Sequence, residues 1–198
     1  MKTVSALCGA SLIVAILASG GCSVPEDQKA IAAITELGGR IKTDSQSRVV
    51  EVDLSRTKAT DPDLAMLRAL PFVQSLNCSQ TRVTGATLDQ LADLRDLQTL
   101  FLDGSELNDA GLARISPLAS LRTLHLGRTK ITDAGLPAIR SLSQLQTLSA
   151  GNTDITDAGL FNFRDLHDLA TLMLRHTKVT QAGVQELHRF LPKTRIDR

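Results

Sequence analysis

The sequence repeats itself with a period of 24 residues, and this period constrains the fold more than any other feature. A hydroxyl residue recurs at each step without insertion or deletion, at Thr57, Thr81, Ser105, Thr129, Thr153 and Thr177. A Leu-x-x-Leu-x-Leu pattern precedes most copies, and a version of Ile-Thr-Asp-Ala-Gly-Leu follows them. A fixed period of about 20–50 residues is typical of stacked repeat arrays. The chain is therefore predicted to contain six copies of one supersecondary unit.

The first part of each unit reads as a β-strand. Positions are numbered from the first Leu of the pattern, so that Leu121 is position one and Thr129 is position nine. Leu124 and Leu126, at positions four and six, alternate with residues that are predicted to face outward, because successive strand side chains point to opposite faces.

The second part of each unit reads as a turn followed by a short helical segment. Thr132 or Asp133 is a suitable N-cap, and Gly135 is expected to allow neighbouring turns to approach closely. The apolar residues that come next are three apart and form one stripe: Leu136, Ile139 and Leu142. One unit cannot bury its own apolar face, so neighbouring units must stack and share a core. Their strands then form a parallel sheet, with roughly 4.8 Å between neighbours.

These motifs resemble the leucine-rich repeat family, in the bacterial variety whose units read Leu-x-x-Leu-x-Leu-x-x-Thr-x-Ile-Thr-Asp-Ala-Gly-Leu. The resemblance covers roughly Val49 to Ile196. It implies an α/β solenoid of about six repeats plus an N-terminal cap, with a right-handed, curved parallel sheet and short helices on the convex side. It also implies that the Thr column bonds the backbone of the turn, rather than taking part in catalysis.

The segment before the repeats is predicted to be an N-terminal anchor and cap over residues 22–48, followed by the repeat domain over residues 49–198. Glu26 to Leu37 reads as an amphipathic helix that Gly38-Gly39 terminates. Arg40 to Thr43 and Arg48 to Leu54 read as two strands around a polar turn.

Residues 1–21 read as an export signal. Lys2 is followed by the short apolar run 12–18 and then by small residues up to Cys22. This arrangement resembles the bacterial lipoprotein signal, although Ser19 stands where Leu is usual. We expect cleavage before Cys22, lipidation of Cys22, and a membrane-anchored lipoprotein of the cell envelope. The alternatives are a secreted or periplasmic soluble protein and an uncleaved anchor.

The composition excludes several functions. The chain has no Trp or Tyr and five Phe, and its 22 basic residues balance 21 acidic ones. Nucleic acid is therefore not an expected partner, because stacking rings and excess positive charge are both missing. The four His lack metal-ligand spacing, and there is no phosphate-binding loop or nucleophile motif, so no metal, cofactor or small-molecule substrate is expected. An enzyme is the least favoured function.

Three further predictions concern five individual residues. Cys78 occupies the core slot of Leu102 and is expected to be a small buried hydrophobe. Asp61 and Asp63 are interpreted as solvated turn residues of the first unit. Of the rings on the helical side, Phe163 and Phe190 are both predicted to fill core slots.

The outward face of the sheet is the candidate binding surface. The Thr residues at position three are explained by strand propensity, whereas positions five, seven and eight vary. The candidate partner-binding residues are Phe101, His125, Met173, Arg128, Arg175 and His176. Phe101 is either an anchor for a partner protein or an isolated exposed apolar residue. Arg128, Arg175 and His176 either contact the partner or form a solvated rim. The chain is thus predicted to mediate protein–protein interaction through its concave sheet face. The alternative is a structural envelope scaffold without a ligand face.

Overall fold

The computed structural model describes residues 25–198, so the export signal and Cys22 lie outside the described residues. The strands form one eight-stranded sheet in which each is paired with the next along the chain. β1 is antiparallel to β2, and all later pairs are parallel. The strands are β1 Arg40–Thr43, β2 Val49–Asp53, β3 Ser75–Asn77, β4 Thr99–Phe101, β5 Thr123–His125, β6 Thr147–Ser149, β7 Thr171–Met173 and β8 Arg195–Asp197.

Neighbouring strands pair with an offset of 24 residues, so equivalent positions form straight columns across the sheet. Leu100 pairs with Leu124, which pairs with Leu148. The side chains at positions one, four and six are buried in every unit, and Phe163 is buried with them on the helical side. The predicted α/β leucine-rich repeat solenoid is therefore confirmed. Its core is one continuous column of apolar side chains shared between units.

The return segments are mostly 3₁₀-helical. The α-helices are α1 Glu26–Glu36, α2 Asp109–Leu112, α3 Asp157–Leu160 and α4 Gln181–His188. The 3₁₀ segments span Asp61–Ala69, Leu88–Asp93, Ala113–Ile115, Leu136–Ser141 and Phe161–Phe163. The sequence spacing explains this choice, because a 3₁₀-helix has three residues per turn and places residues i and i+3 directly above each other. Leu136, Ile139 and Leu142 are accordingly all buried.

Phe190 departs from the prediction. Its side chain is 46% exposed, so its placement in a core slot was wrong. In the last unit the return segment is the regular α-helix α4, which has about 3.6 residues per turn. Leu187 and Leu191, four residues apart, therefore face the core and are both 3% exposed. Phe190 is turned away by the change from three-residue to four-residue spacing.

α1 and β1 precede the first unit, and β1 pairs with β2 of that unit. Ala30 and Ile34 of α1 are buried against the first unit. A side chain at Gly39 would lie 2.8 Å from Leu54 and 2.9 Å from Ile34. A glycine is required here because the chain passes between the helix and the first unit as it enters β1.

The hydroxyl column at position nine closes the turn after each strand. In all six units its hydroxyl donates a hydrogen bond of 2.6–2.7 Å to the carbonyl oxygen at position six of the same unit. This is the structural role that the resemblance implies for these residues.

A second set of hydrogen bonds, which we term the aspartate rungs, joins one unit to the next. The Asp133 carboxylate accepts hydrogen bonds from the Thr156 backbone N–H at 2.9 Å and from the Thr156 hydroxyl at 2.6 Å. Equivalent rungs join Asp61 to Thr84, Asp109 to Thr132, and Asp157 to Thr180. The Thr is thus the N-cap, as at Thr156 and Thr180, while the Asp connects neighbouring units.

The first rung corrects the interpretation of Asp61. Asp61 is 8% exposed, and it accepts hydrogen bonds from the Thr84 N–H, the Thr84 hydroxyl and the Gly85 N–H. Asp63 accepts from the Thr60 N–H and hydroxyl, at 2.7 Å each. A buried carboxylate with three donors is stabilised in place. Asp61 is therefore an inter-unit contact rather than a solvated turn residue.

The glycine of the Asp-Ala-Gly-Leu motif makes room for these rungs. A Cβ atom at Gly135 would lie 2.7 Å from the Asp109 carboxylate of the preceding unit. At Gly159 and Gly183 the added atom would overlap the carboxylates of Asp133 and Asp157. The expected close approach of neighbouring turns at Gly135 is confirmed.

The rungs are interrupted between the second and third units. Gly85, with φ of +91°, stands at the position that Asp occupies in the flanking units. Asn108 stands opposite it and accepts from the Gly111 N–H of its own unit instead. The backbone bond that links flanking units, such as Lys130 N–H to Leu107 C=O, has no counterpart here within residues 25–198. We term this interface the seam.

The last rung makes stability dependent on pH. The Thr180 hydroxyl, together with the Thr180 N–H, lowers the pKa of Asp157 below its ordinary value of 3.8. The rung therefore stabilises the fold fully above that value and is lost as the pH falls through the lower folded-state pKa. We expect Asp157→Asn to lower Tm at about pH 6 and to converge with the wild type at about pH 2. Asp168→Asn, at an exposed position of the same unit, is the control. A difference in Tm between Asp157→Asn and the wild type that stays the same from about pH 6 to about pH 2 would contradict this assignment.

The Cys78 thiol reports on the integrity of the core. Cys78 is fully buried, as predicted, and burial together with the negative charges of Asp53 and Asp61 raises its pKa to about 12. Only the thiolate reacts appreciably with alkylating reagents. We expect iodoacetamide at about pH 8 to label Cys78 only after denaturant is added, as measured by peptide mass mapping. Rapid labelling of the native chain would show that the core is open.

Candidate functional site

The sheet face, defined as the outward side chains at positions three and five of β2 to β8, carries the predicted binding residues. Register places Phe101 beside His125, His125 beside Ser149, and Ser149 beside Met173. These four residues form one row across four adjacent strands, with roughly 4.8 Å between neighbours. The row is flanked by the Thr residues of position three, which are half-buried like the row itself.

Phe101 and His125 contact each other directly. Their ring centroids are 4.8 Å apart and the rings are inclined at 67°, which is an edge-to-face arrangement. The Nδ1 atom of His125 lies 3.4 Å from Oδ2 of Asp103. The other carboxylate oxygen, Oδ1 of Asp103, accepts a hydrogen bond from the Gly127 N–H at 3.0 Å. Phe101 is thereby held as part of a small cluster and is only half exposed.

The loops at the ends of the strands share one backbone conformation. The residue at position eight has a positive φ in every unit, between 56° and 65°. These residues are Arg56, Gln80, Gly104, Arg128, Asn152 and His176. The left-handed conformation turns the chain sharply after the strand. It leaves Arg128, Asn152 and His176 exposed along the margin of the sheet face.

A cavity of about 400 Å³ lies where these loops meet the sheet face. Glycine occupies position seven in two consecutive units, at Gly127 and Gly151, where Asp103 and Arg175 occupy it in the flanking units. We term this cavity the notch, and its lining comprises Asp103, Gly127, Arg128, Ser149, Gly151, Asn152, Met173, Arg175 and Asp197. It brings together Arg128, Met173 and Arg175 of the predicted residues, and does not include Phe101, His125 or His176.

Arg175 is ion-paired. Its guanidinium lies 2.9 Å from the Asp197 carboxylate of β8, and this contact raises the pKa of Arg175. The pair joins position seven of one unit to position five of the next, as Asp103 and His125 do. Stacking brings these two positions together, so the repeat register contained the information needed to predict both pairs.

The notch was not predicted from the sequence. The predicted site rested on the side chains at positions five, seven and eight, whereas Gly127 and Gly151 line the notch with backbone atoms alone. The available indication was the run of two glycines at a position where other units carry Ser, Asp or Arg.

Neither a metal centre nor a membrane-spanning helix is found in the described part of the chain. Within residues 25–198, no group of three or more His, Cys, Asp or Glu side chains is arranged to hold a metal ion. No helix in the same range has the length and apolar character that crossing a membrane requires.

Comparison with known proteins supports the fold. No protein-family model matches the sequence, and no curated protein matches it. Among solved structures, an internalin of Listeria monocytogenes superimposes with a TM-score of 0.57 at 23% identity, covering 68% of this chain. A leucine-rich repeat protein of Leptospira interrogans gives a TM-score of 0.56 at 24% identity over 68% of this chain. Internalin C2 of Listeria monocytogenes gives 0.54 at 20% identity over 84%.

The matched region is a different fraction of the length of each neighbour. The matched region corresponds to 37% of the first internalin and 33% of the Leptospira protein, but to 80% of internalin C2. The chain therefore spans about a third of the length of the first two. At these identities the likeness demonstrates the leucine-rich repeat fold.

Proposed function

We propose that the chain is a non-enzymatic leucine-rich repeat protein that is exported, anchored to the envelope by a lipid on Cys22, and binds another protein through its concave sheet face. The observation that carries the proposal is the row of Phe101, His125, Ser149 and Met173 beside the notch. It places an aromatic ring, an apolar thioether and two guanidinium groups on one face of a rigid sheet. This combination is typical of protein interfaces, where aromatic residues, Met and Arg are enriched.

The rigidity of the solenoid supports a binding role. Each unit is fixed to its neighbours by the shared core, by the strand pairing and, outside the seam, by the aspartate rungs. A face that is already ordered loses little conformational entropy when a partner docks, so more of the contact energy appears as affinity.

The chemistry of the site favours binding over catalysis. Within residues 25–198, the Asp103–His125 pair has no hydroxyl or thiol hydrogen-bonded to His125 that would serve as a nucleophile. A catalytic pair of this type needs such a group within hydrogen-bond reach. The pair instead holds the ring of Phe101 in place, which is a structural contribution to a contact surface.

The proposal predicts that binding depends on the sheet face. We expect Phe101→Ala and Arg175→Ala to weaken crosslinking of an envelope partner by about tenfold each without unfolding the domain, because anchors of this type contribute more than about 1 kcal/mol. The measurement is crosslinking in native envelope followed by identification of the captured chain. Phe161→Ala is the matched control, because Phe161 is 52% exposed on the helical side.

The alternative function, a structural envelope scaffold without a ligand face, predicts a different result. It predicts the same captured chains for wild type, Phe101→Ala and Arg175→Ala. It also predicts that charge reversal is tolerated across the outward positions of the sheet. That outcome would replace the binding proposal.

The lipid anchor is tested separately. We expect the mature chain to begin at Cys22 with added acyl mass, and Cys22→Ser to move the protein from the membrane to the soluble fraction. More than one acyl chain is expected, since a single chain binds membranes only marginally. Mass spectrometry and membrane fractionation measure both effects. A Cys22→Ser protein that stays in the membrane fraction would exclude lipid anchoring while leaving the binding face in place.

A further inference from the structure

The backbone N–H at position seven has a protein hydrogen-bond partner in three of the six units and none within residues 25–198 in the other three. In three units, the backbone N–H at position seven donates to a side-chain oxygen that the protein supplies. These bonds run from Ser55 to Asp53 at 2.9 Å, from Ser79 to Asn77 at 3.0 Å, and from Gly127 to Asp103 at 3.0 Å. The repeat itself therefore indicates the preferred partner of this N–H, which is a carboxylate or amide oxygen from position five of the same unit or position seven of the preceding unit.

The fifth unit lacks that partner. Position five is Ser149, and position seven of the preceding unit is Gly127, which has no side chain. The Gly151 N–H consequently donates no hydrogen bond to any residue within 25–198. The N–H groups of Asp103 and Arg175, at position seven of the third and sixth units, have no such bond in the same range either, and all three residues line the notch.

Gly151 lies at the wall of the notch. Gly127 and Gly151 both line the notch, whereas the Asp103 carboxylate accepts the equivalent N–H one unit earlier. Gly151 is half-buried within this concave part of the surface. A donor of this kind, without a fixed protein partner, is available to an acceptor that enters the notch.

The charges around the notch favour an incoming anion. Its two acids are both engaged, since Asp103 binds the Gly127 N–H and lies beside His125, and Asp197 is paired with Arg175. Arg128, by contrast, forms no ion pair or side-chain hydrogen bond with any residue in the described range. It is exposed, and it lies on the unit next to Gly151. Several polar groups of the lining thus have no protein partner within residues 25–198, among them the Gly151 N–H and the side chains of Ser149 and Asn152, and Arg128 is the one charged side chain of the lining without an ion pair in that range.

We propose that the notch binds the carboxylate of an Asp or Glu side chain in an extended segment of the protein partner. The carboxylate takes the place that an Asp or Asn oxygen occupies in other units, accepts the Gly151 N–H, and pairs with the Arg128 guanidinium. Met173, on the wall of the same notch, contacts an apolar side chain next to that acid. This inference rests on the proposed function, which it deepens by stating the chemistry of the partner.

The test uses the full chain and two pools of short peptides, blocked at both ends and identical except for Glu or Gln at the central position. Binding is followed by the ¹⁵N-edited shift of the Gly151 amide. We expect the Glu pool to bind about tenfold more tightly than the Gln pool, as charge-assisted hydrogen bonds are roughly twice as strong as neutral ones. Equal binding of both pools, or no shift of Gly151, would overturn the proposal.

Two variants locate the effect. Arg128→Gln should reduce the preference for Glu to about twofold or less. The change suits the backbone, because Gln80 occupies the same position with φ of 57°. Arg56→Gln is the matched control, since Arg56 also occupies position eight and does not line the notch. A loss of preference that is equal in both variants would indicate a general effect of positive charge and would contradict a site at Gly151.

A third variant fills the notch from within. Gly127→Asn supplies an amide oxygen one unit before Gly151, and its Cβ would lie 2.8 Å from Oδ1 of Asp103 and 3.2 Å from the Gly151 carbonyl oxygen, so the Asp103 side chain must shift. We expect it to abolish binding of the Glu pool in a chain that stays folded, with a Tm lowered by the disturbed contact between Asp103 and the Gly127 N–H. Retained binding in a folded Gly127→Asn protein would overturn the proposal.

The outcomes separate this inference from the proposed function. If capture of the partner depends on Phe101 but Glu and Gln peptides bind equally, the sheet face binds a protein and the notch does not bind a carboxylate. If Glu peptides bind more tightly but capture does not depend on Phe101, the carboxylate site in the notch is supported and the proposed interface on the sheet face is contradicted.

Discussion

The structure depends on one constraint, which is that no single unit can bury its own apolar face. The residues at positions one, four and six reach zero or near-zero exposure only because the next unit covers them. Burial of this kind contributes roughly 1.5–3 kcal/mol for each large apolar side chain. The 24-residue period is the consequence, since a unit of different length would move its Leu residues out of the shared column. The hydroxyl column, the aspartate rungs and the ion pairs of the sheet face are all placed by that register.

The register also explains which predictions succeeded. Leu124, Cys78 and Gly135 were predicted correctly because their roles depend on the column in which they stand. Phe190 was not, because α4 changes the helical period within the last unit, and a local change of period is not visible from the columns alone. Asp61 was misread for a related reason. Its partner, Thr84, is 23 residues away in sequence, and only stacking shows that the two are neighbours.

The candidate site was predictable in outline but not in detail. The row from Phe101 to Met173 could be derived from strand alternation, because position five always faces away from the core. The notch was harder to predict, because part of its lining is backbone, including the Gly151 N–H that has no partner within residues 25–198. The two glycines at position seven were its one visible sign, and they stand out only when the units are compared with one another.

The seam between the second and third units has a consequence for how the array behaves as a whole. The stability of a repeat protein is approximately the sum of unit terms and interface terms, so its cooperativity is limited by the weakest interface. The interface at Gly85 and Asn108 has lost both an aspartate rung and a backbone hydrogen bond. The sheet row and the notch lie entirely on the C-terminal side of it. The pairing of β3 with β4 and the shared core still cross this interface, so the first two units are joined to the units that carry the site without the two contacts that the neighbouring interfaces add.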